Sequence, residues 1–195
     1  GYTFEGWSGT DINGKDTQVT VTARPLKDRT YTANWKENSY TIVFNVEGEV
    51  TRGEMKNIPL RYTQETTIPK NGYVCGGYKF VGWRTGGKKS EQKVYQPGDK
   101  VSRLCATNNG TVNLYPIWEP CEYTITFDYQ TGNKREKVTC KYKETYTFPT
   151  VNRLGWTFEG WSRSAGSTNV ISYAPNVKTA VFEDEKDLTL YAVYK

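Results

Sequence analysis

The 195-residue chain contains no histidine and a single methionine. Without imidazole there is no His-dependent triad, no imidazole metal site and no side chain whose ordinary pKa lies near neutrality. Aliphatic side chains are scarce. Hydrophobic residues make up 36% of the chain, below the roughly 45–50% apolar share (glycine included) of ordinary globular domains. No apolar run approaches the roughly 18–20 residues that span a bilayer, so membrane insertion is not expected. The sequence opens at Gly1-Tyr2-Thr3-Phe4 with neither an initiator methionine nor a signal peptide, the pattern expected of a processed fragment.

Aromatic residues are what the chain has instead. They reach 14% of the sequence, including 15 tyrosines and 6 tryptophans. Each buried ring removes about 150–250 Å² from water, so a few of them fill a small core. Such richness in aromatic residues argues against disorder, and together with threonine and glycine it points to small β-domains. The net charge is +5, from 26 basic and 21 acidic residues, a modest balance that suits solubility and weak attraction to polyanions.

A repeat organises the sequence. The pattern Gly-aromatic-x-Phe-x-Gly-Trp occurs at Gly1–Trp7, Gly77–Trp83 and Gly155–Trp161, with its final tryptophan recurring after 76 and 78 residues. Each copy is followed by a closing segment: Tyr31–Trp35, Leu114–Trp118 and Leu190–Tyr194. Two closing segments run on into opening strands, Tyr40–Phe44 and Tyr123–Phe127, 83 residues apart. The expected organisation is residues 1–38 as the C-terminal half of a first repeat, 39–120 as a second repeat and 121–195 as a third. Period-2 alternation at Tyr123, Ile125, Phe127 and Tyr129, and at Leu188, Leu190, Ala192 and Tyr194, marks half-buried strands. No 3.6-residue apolar stripe is present. The fold class is therefore mainly β with a small α+β variant open, each unit a mixed or antiparallel sheet curled over an aromatic core. The motif tryptophans Trp7, Trp83 and Trp161, with Trp35 and Trp118, are the expected core, and the preceding glycine offers a strand bulge.

These motifs resemble the Listeria–Bacteroides repeat family, also called the internalin B-repeat. Gly77–Trp83 with Leu114–Trp118, and Gly155–Trp161 with Leu190–Tyr194, match the family's Gly-Tyr-x-Phe-x-Gly-Trp core and Leu-Tyr-Ala-x-aromatic ending. The resemblance implies a β-grasp-like fold, extracellular display, and a place in large bacterial surface proteins or secreted enzymes. It brings no catalytic motif.

Cysteine usage departs from that family, which usually has none. Cys75, Cys105, Cys121 and Cys140 form no Cys-x-x-Cys pair, and a zinc site would need all four thiolates from two different repeats. Cys121 and Cys140 lie on the inward faces of two arms of one hairpin, so a cross-strand disulfide between them is expected, leaving Cys75 to pair with Cys105. The alternative for Cys140 is a small buried hydrophobe.

Other chemistry-bearing patterns fail on inspection. Gly9–Asp16 and Gly82–Lys89 imitate a phosphate-binding loop but end in Asp16 and Lys89 where Ser or Thr is required. Asp11, Asn13 and Asp16 lack calcium-loop spacing, and Asn109-Gly110-Thr111 reads as a tight turn before it reads as a glycosylation site. No enzyme activity, cofactor or metal is expected. A basic face is more distinctive: Arg135, Lys137, Lys141 and Lys143 alternate on the outer side of one hairpin beside Lys134, and Lys88, Lys89 and Lys93 cluster after Trp83. This face suits adhesion to a host-surface glycan or protein or to a cell-wall polymer, or else it keeps an exposed strand from pairing with other chains. Nucleic acid is not expected, because the aromatics are committed to cores rather than interleaved with the basic residues. Three functional readings follow: a non-enzymatic stalk or spacer of a bacterial cell-surface protein or adhesin, an adhesive module acting through the basic hairpin, and accessory repeats of a secreted glycosidase or protease.

Overall fold

The computed structural model describes residues 1–21, 27–86, 89–171, 180–181 and 186–195, with the side chains of 89, 180 and 181 left aside. Strands and one three-residue 3-10 turn, Lys89–Glu91, make up the regular structure, and there is no α-helix among the described residues. The first segment contributes β1 (Tyr2–Gly9), β2 (Ile12–Asp16) and β3 (Tyr31–Glu37), hydrogen-bonded in the order β2-β1-β3. The next holds β4 (Ser39–Phe44), β5 (Val50–Arg52), β6 (Ile58–Arg61), β7 (Thr66–Thr67), β8 (Val74–Cys75), β9 (Tyr78–Thr85), β10 (Val94–Tyr95), β11 (Lys100–Val101) and β12 (Gly110–Pro120). The last holds β13 (Glu122–Asp128), β14 (Arg135–Lys141), β15 (Thr145–Tyr146), β16 (Phe158–Ser162), β17 (Ala180–Val181) and β18 (Leu188–Tyr194). The chain divides into two compact units, one of Gly1–Tyr73 with Val81–Ile117 and one of Val74–Phe80 with Trp118–Lys195.

The two main sheets share a plan. Their orders are β10-β9-β12-β4-β6 and β14-β13-β18-β16. In each, an opening hairpin (β4 with β6, β13 with β14) is antiparallel, and the opening strand lies parallel to the closing one. Tyr40–Phe44 pairs with Gly110–Leu114, and Ile125–Asp128 with Leu188–Tyr191. Parallel neighbours need a long crossover, and here the motif strand returns within it to pair on the closing strand's other side. Alternation builds the buried face: Tyr40, Ile42 and Phe44 on β4, and Tyr123, Ile125 and Phe127 on β13, are all buried.

One tryptophan centres each core. Trp83 is fully buried, its ring meeting Phe44 edge-on at 4.8 Å and Tyr73 at 6.1 Å. Trp161 is equally buried, at 4.7 Å from Phe127, 5.5 Å from Phe158 and 5.9 Å from Tyr129. Its indole N–H donates to the Pro149 carbonyl at 2.9 Å. The tryptophan expectation is corrected elsewhere. Trp7 and Trp118 are only half-buried and Trp35 is 59% exposed. Among the described residues the first segment supplies the three-stranded sheet β2-β1-β3, and Trp7 packs there edge-on to Phe4 at 5.6 Å. The closing-strand aromatics take a different position, each packed edge-on to the motif phenylalanine: Phe4 with Trp35, Phe80 with Trp118, Phe158 with Tyr194.

The glycine before each motif tryptophan has φ of 142° (Gly6), 156° (Gly82) and 145° (Gly160), a region L side chains rarely adopt. Ladder register slips at this point, between Phe4 and Gly6 and between Phe158 and Gly160. The resulting bulge turns the phenylalanine and the tryptophan to their separate positions.

Candidate functional site: the basic hairpin and the repeat junctions

The hairpin of β13 and β14 pairs Glu122 with Lys141, Thr124 with Thr139, Thr126 with Lys137 and Asp128 with Arg135 on its outer side. β14 is an edge strand of its sheet. Arg135, Lys137, Lys141 and Lys143 do share the outer face or its turn, but carboxylates are interleaved with them. Arg135 Nε donates to Asp128 Oδ2 at 2.8 Å. The Gln130 N–H foremost, and then Arg135, hold the Asp128 carboxyl below its ordinary pKa against the opposing effect of burial. Lys141 stands opposite Glu122, and Lys143 Nζ lies over the Tyr142 ring, 5.6 Å from its centroid. Lys134 likewise covers Tyr129 at 5.1 Å. On the inner side Tyr129 Oη donates to Glu136, and that bond, with burial, pushes the phenol up to about 12. Such a face presents alternating charge rather than a uniform cationic field. Of the second cluster, Lys88 and the Lys89 side chain lie outside the described residues, and Lys93 is exposed, its backbone paired with Thr85.

The disulfide expectation is corrected. All four cysteines are free. Cys140 lies opposite Tyr123 in the ladder, whereas the Tyr142 N–H donates to the Cys121 carbonyl. Cys121 and Cys140 are therefore diagonal neighbours, a relation of about 7–8 Å that exceeds ordinary disulfide reach. Cys140 is buried, and desolvation raises its thiol pKa, with Glu144 adding to the shift. Cys75 is buried on β8, and the Cys105 thiol points to the Thr107 carbonyl at 3.9 Å.

The phosphate-loop mimic Gly9–Asp16 is the turn and second arm of the β1–β2 hairpin, with Asp11 at φ 62°. Asn109, at φ 57°, turns the chain into β12. Among the described residues no group of three or more His, Cys, Asp or Glu could hold a metal, and no helix is long and apolar enough to cross a membrane.

A second constellation, which the sequence reading did not single out, recurs where one repeat meets the next. Within the first unit the Asn38 N–H donates to the Gly1 carbonyl at 2.9 Å, and the Tyr62 N–H to the Asn38 carbonyl at 2.9 Å. The Tyr62 ring covers Gly1, occupying the place a Cβ would take, and meets Tyr2 edge-on at 6.0 Å. Within the second unit the Cys121 N–H donates to the Gly77 carbonyl at 2.8 Å, and the Tyr142 N–H to the Cys121 carbonyl at 2.9 Å. The Tyr142 ring covers Gly77 and meets Tyr78 edge-on at 5.3 Å. Tyr62 and Tyr142 open matching turns, closed by Gln64 N–H to Arg61 O at 3.1 Å and Glu144 N–H to Lys141 O at 3.0 Å. Glu37 adds a clamp to the first junction by accepting from both the hydroxyl and the N–H of Thr63, which lowers its pKa. The available signal was the 80-residue spacing of Tyr62 and Tyr142 in Leu-Arg-Tyr and Cys-Lys-Tyr.

Tandem domains with this motif, plan and junction define a repeat class, and comparison with known proteins gives the family. The profile of the Listeria-Bacteroides repeat domain matches residues 40–115 and 123–193, and that of the divergent InlB B-repeat domain matches residues 1–39. The chain belongs to the Listeria-Bacteroides repeat family, and the domains so identified are non-catalytic repeats of bacterial surface proteins. It is 26% identical over 169 residues to an Evansella cellulosilytica protein whose name describes a Gly-rich membrane protein, covering 83% of this chain and 19% of that one. A second protein of that organism, named as a membrane protein, is 25% identical over 195 residues, 98% of this chain and 26% of its own length. Internalin H of Listeria monocytogenes is 33% identical over 92 residues, 46% of this chain and 16% of internalin H. The chain thus spans about a quarter or less of each relative.

Proposed function

We propose that this chain is a spacer: tandem β-grasp-like repeats that hold another part of a bacterial cell-surface protein away from its anchor, outside the cell. The recurring junction carries this reading. The same four groups, a glycine carbonyl, a linker amide, a turn tyrosine and a motif tyrosine, meet in both units. A connection made of backbone hydrogen bonds and packed rings resists bending better than a free linker, which suits a device whose output is distance. The β-grasp label is supported by the opening hairpin and by the parallel pairing of opening and closing strands in each sheet. The names of the relatives, internalin H and two membrane proteins, support surface display.

The adhesive reading is less well supported, since Asp128, Glu122 and the Tyr142 ring face three of its four cations. Retention on an immobilised sulfated glycan across a salt series separates the two, run beside a variant with Lys137, Lys141 and Lys143 changed to Gln. The spacer reading expects elution with the void volume even at low salt. Retention that weakens with salt and is lost in the variant would replace it with the adhesive reading.

A further inference from the structure

Among the described residues the motif segment of the last repeat makes no such junction. Gly155 has φ 78°, close to the 72° of Gly77, yet among the described residues no atom beyond its chain neighbours lies within 4 Å of the place its Cβ would occupy. Gly1 and Gly77 have a tyrosine ring at that place. The residue after it, Trp156, stands where Tyr2 and Tyr78 stand in the earlier copies and is 50% exposed, as Tyr2 is beside its filled glycine, so what differs in the last copy is the open face of the glycine. Its ring is held from one side by the Arg153 guanidinium at 4.6 Å, which also lies 5.3 Å from the Tyr194 ring, and the Trp156 backbone N–H donates to the Arg153 carbonyl at 3.0 Å. The strand edge is ready as well. Thr157 and Lys195 exchange both backbone hydrogen bonds, at 2.9 and 3.0 Å, as the ladder pairs Thr3 with Lys36 in the first copy. There the chain continues through Glu37, paired with Tyr2, to Asn38, bonded to Gly1.

From this we infer that Gly155 and Trp156 form a docking surface for one further repeat of the same family, received through the tyrosine of its first hairpin turn, the position held here by Tyr62 and Tyr142. The occupant follows from continuity with the two filled junctions, in which a left-handed or unhindered glycine takes the ring face and the adjacent aromatic meets the ring edge-on. Gly155 keeps the space clear, and Arg153 fixes the indole in a set orientation before the partner arrives, which lowers the ordering cost of docking. The inference rests on the junction reading above and extends it: this end of the chain is specific for a repeat rather than for an unrelated domain.

The test appends residues 37–195 of a second copy directly after Lys195, so that Glu37 and Asn38 follow Lys195 as they follow Lys36. Tryptophans are labelled with fluorine, and the Trp156 resonance is assigned by Trp156→Phe in each copy separately. The buried Trp83 and Trp161 resonances report that each repeat is folded. The expected result is that Trp156 of the first copy shifts, through the ring current of the tyrosine that meets it, while Trp156 of the second copy keeps the position seen in the single chain. Tyr62→Ala in the second copy should return the first resonance to the single-chain position. A flexible Gly-Ser linker at the fusion point serves as a second arm if the direct fusion misfolds, because a specific surface still captures a tethered repeat. A first-copy Trp156 that keeps its single-chain shift in a folded fusion overturns the inference, as does a shift insensitive to Tyr62→Ala. Glycan retention would defeat the spacer reading without altering this readout, so the two failures are distinguishable.

Discussion

Replacing Trp161 with Ala is the most searching perturbation of the core. The indole is fully buried among Phe127, Phe158 and Tyr129, and its N–H satisfies the Pro149 carbonyl. Truncating a buried tryptophan costs about 3–5 kcal/mol through lost transfer energy and the cavity left behind. The Pro149 carbonyl left behind is half-buried and within reach of water, so its loss of a donor keeps the estimate near the middle of that range. About 4 kcal/mol is close to the whole stability of a small domain, which lies near 5–15 kcal/mol. Trp35, 59% exposed and packed on one face by Phe4, should lose no more than about 1 kcal/mol when cut to Ala. The assay is native-state hydrogen exchange of the Ile125, Phe127 and Leu190 amides, which lie in the sheet over Trp161. At 1.4 kcal/mol per tenfold, Trp161→Ala should reduce their protection by about a thousandfold and Trp35→Ala by less than about tenfold. Equal losses from the two variants, or unchanged protection in Trp161→Ala, would refute the assignment of the core.

Gly160→Ala should destabilise the second unit by about 1–3 kcal/mol, because φ of 145° is strained for alanine and the new methyl would meet Val170; chemical denaturation measures it. Alkylation of the unfolded, unreduced chain should add four adducts, and in the folded state Cys140 should react last, its raised pKa and burial keeping it a thiol; two adducts or none would restore the disulfides. The Asp128 carboxyl is depressed in the fold, so its contribution is present above its unfolded value near 3.8 and is lost as pH falls through the lower folded value; Asp128→Asn should flatten that acid limb of stability. Tyr129 is raised to about 12 from 10.0, so its contribution is intact below pH 10 and is lost as pH rises toward 12; Tyr129→Phe should make the alkaline decline shallower in a denaturation series, the remainder coming from the other raised tyrosines such as Tyr146 and Tyr194.

The strands were legible because their alternation is strict: Tyr40, Ile42 and Phe44, like Tyr123, Ile125 and Phe127, can bury one face only in extended chain. The motif glycines were legible for a similar reason, since a glycine set before a large ring in three copies signals a bulge. Parallel pairing of β4 with β12 and of β13 with β18 was not, because periodicity says which face is buried and nothing about which distant strand lies alongside. The cysteine pairing failed on register: two residues on one inward face of a hairpin are opposed in one alignment and diagonal in the next. Trp35 shows the limit of a repeat argument. Its motif position is shared with Trp118 and Tyr194, but that position packs outside the main core in every copy. The charge pattern of one strand was legible but its partners were not, for the carboxylates Asp128 and Glu122 that face Arg135 and Lys141 sit on the neighbouring strand. The junction tyrosines went unnoticed because a tyrosine beside a turn is ordinary, and only the glycine beneath it gives it meaning.

The central claim is that successive repeats are joined by an ordered contact, and the Asn38 and Cys121 amides report on it most directly. Each donates to a glycine carbonyl, of Gly1 and of Gly77. Hydrogen exchange of these two amides in the intact chain should be slowed to the level of the neighbouring strands β3 and β13, and Tyr142→Ala should release Cys121 while leaving Asn38 protected. Exchange of both amides at the rate of an unstructured linker in the parent chain would contradict the account.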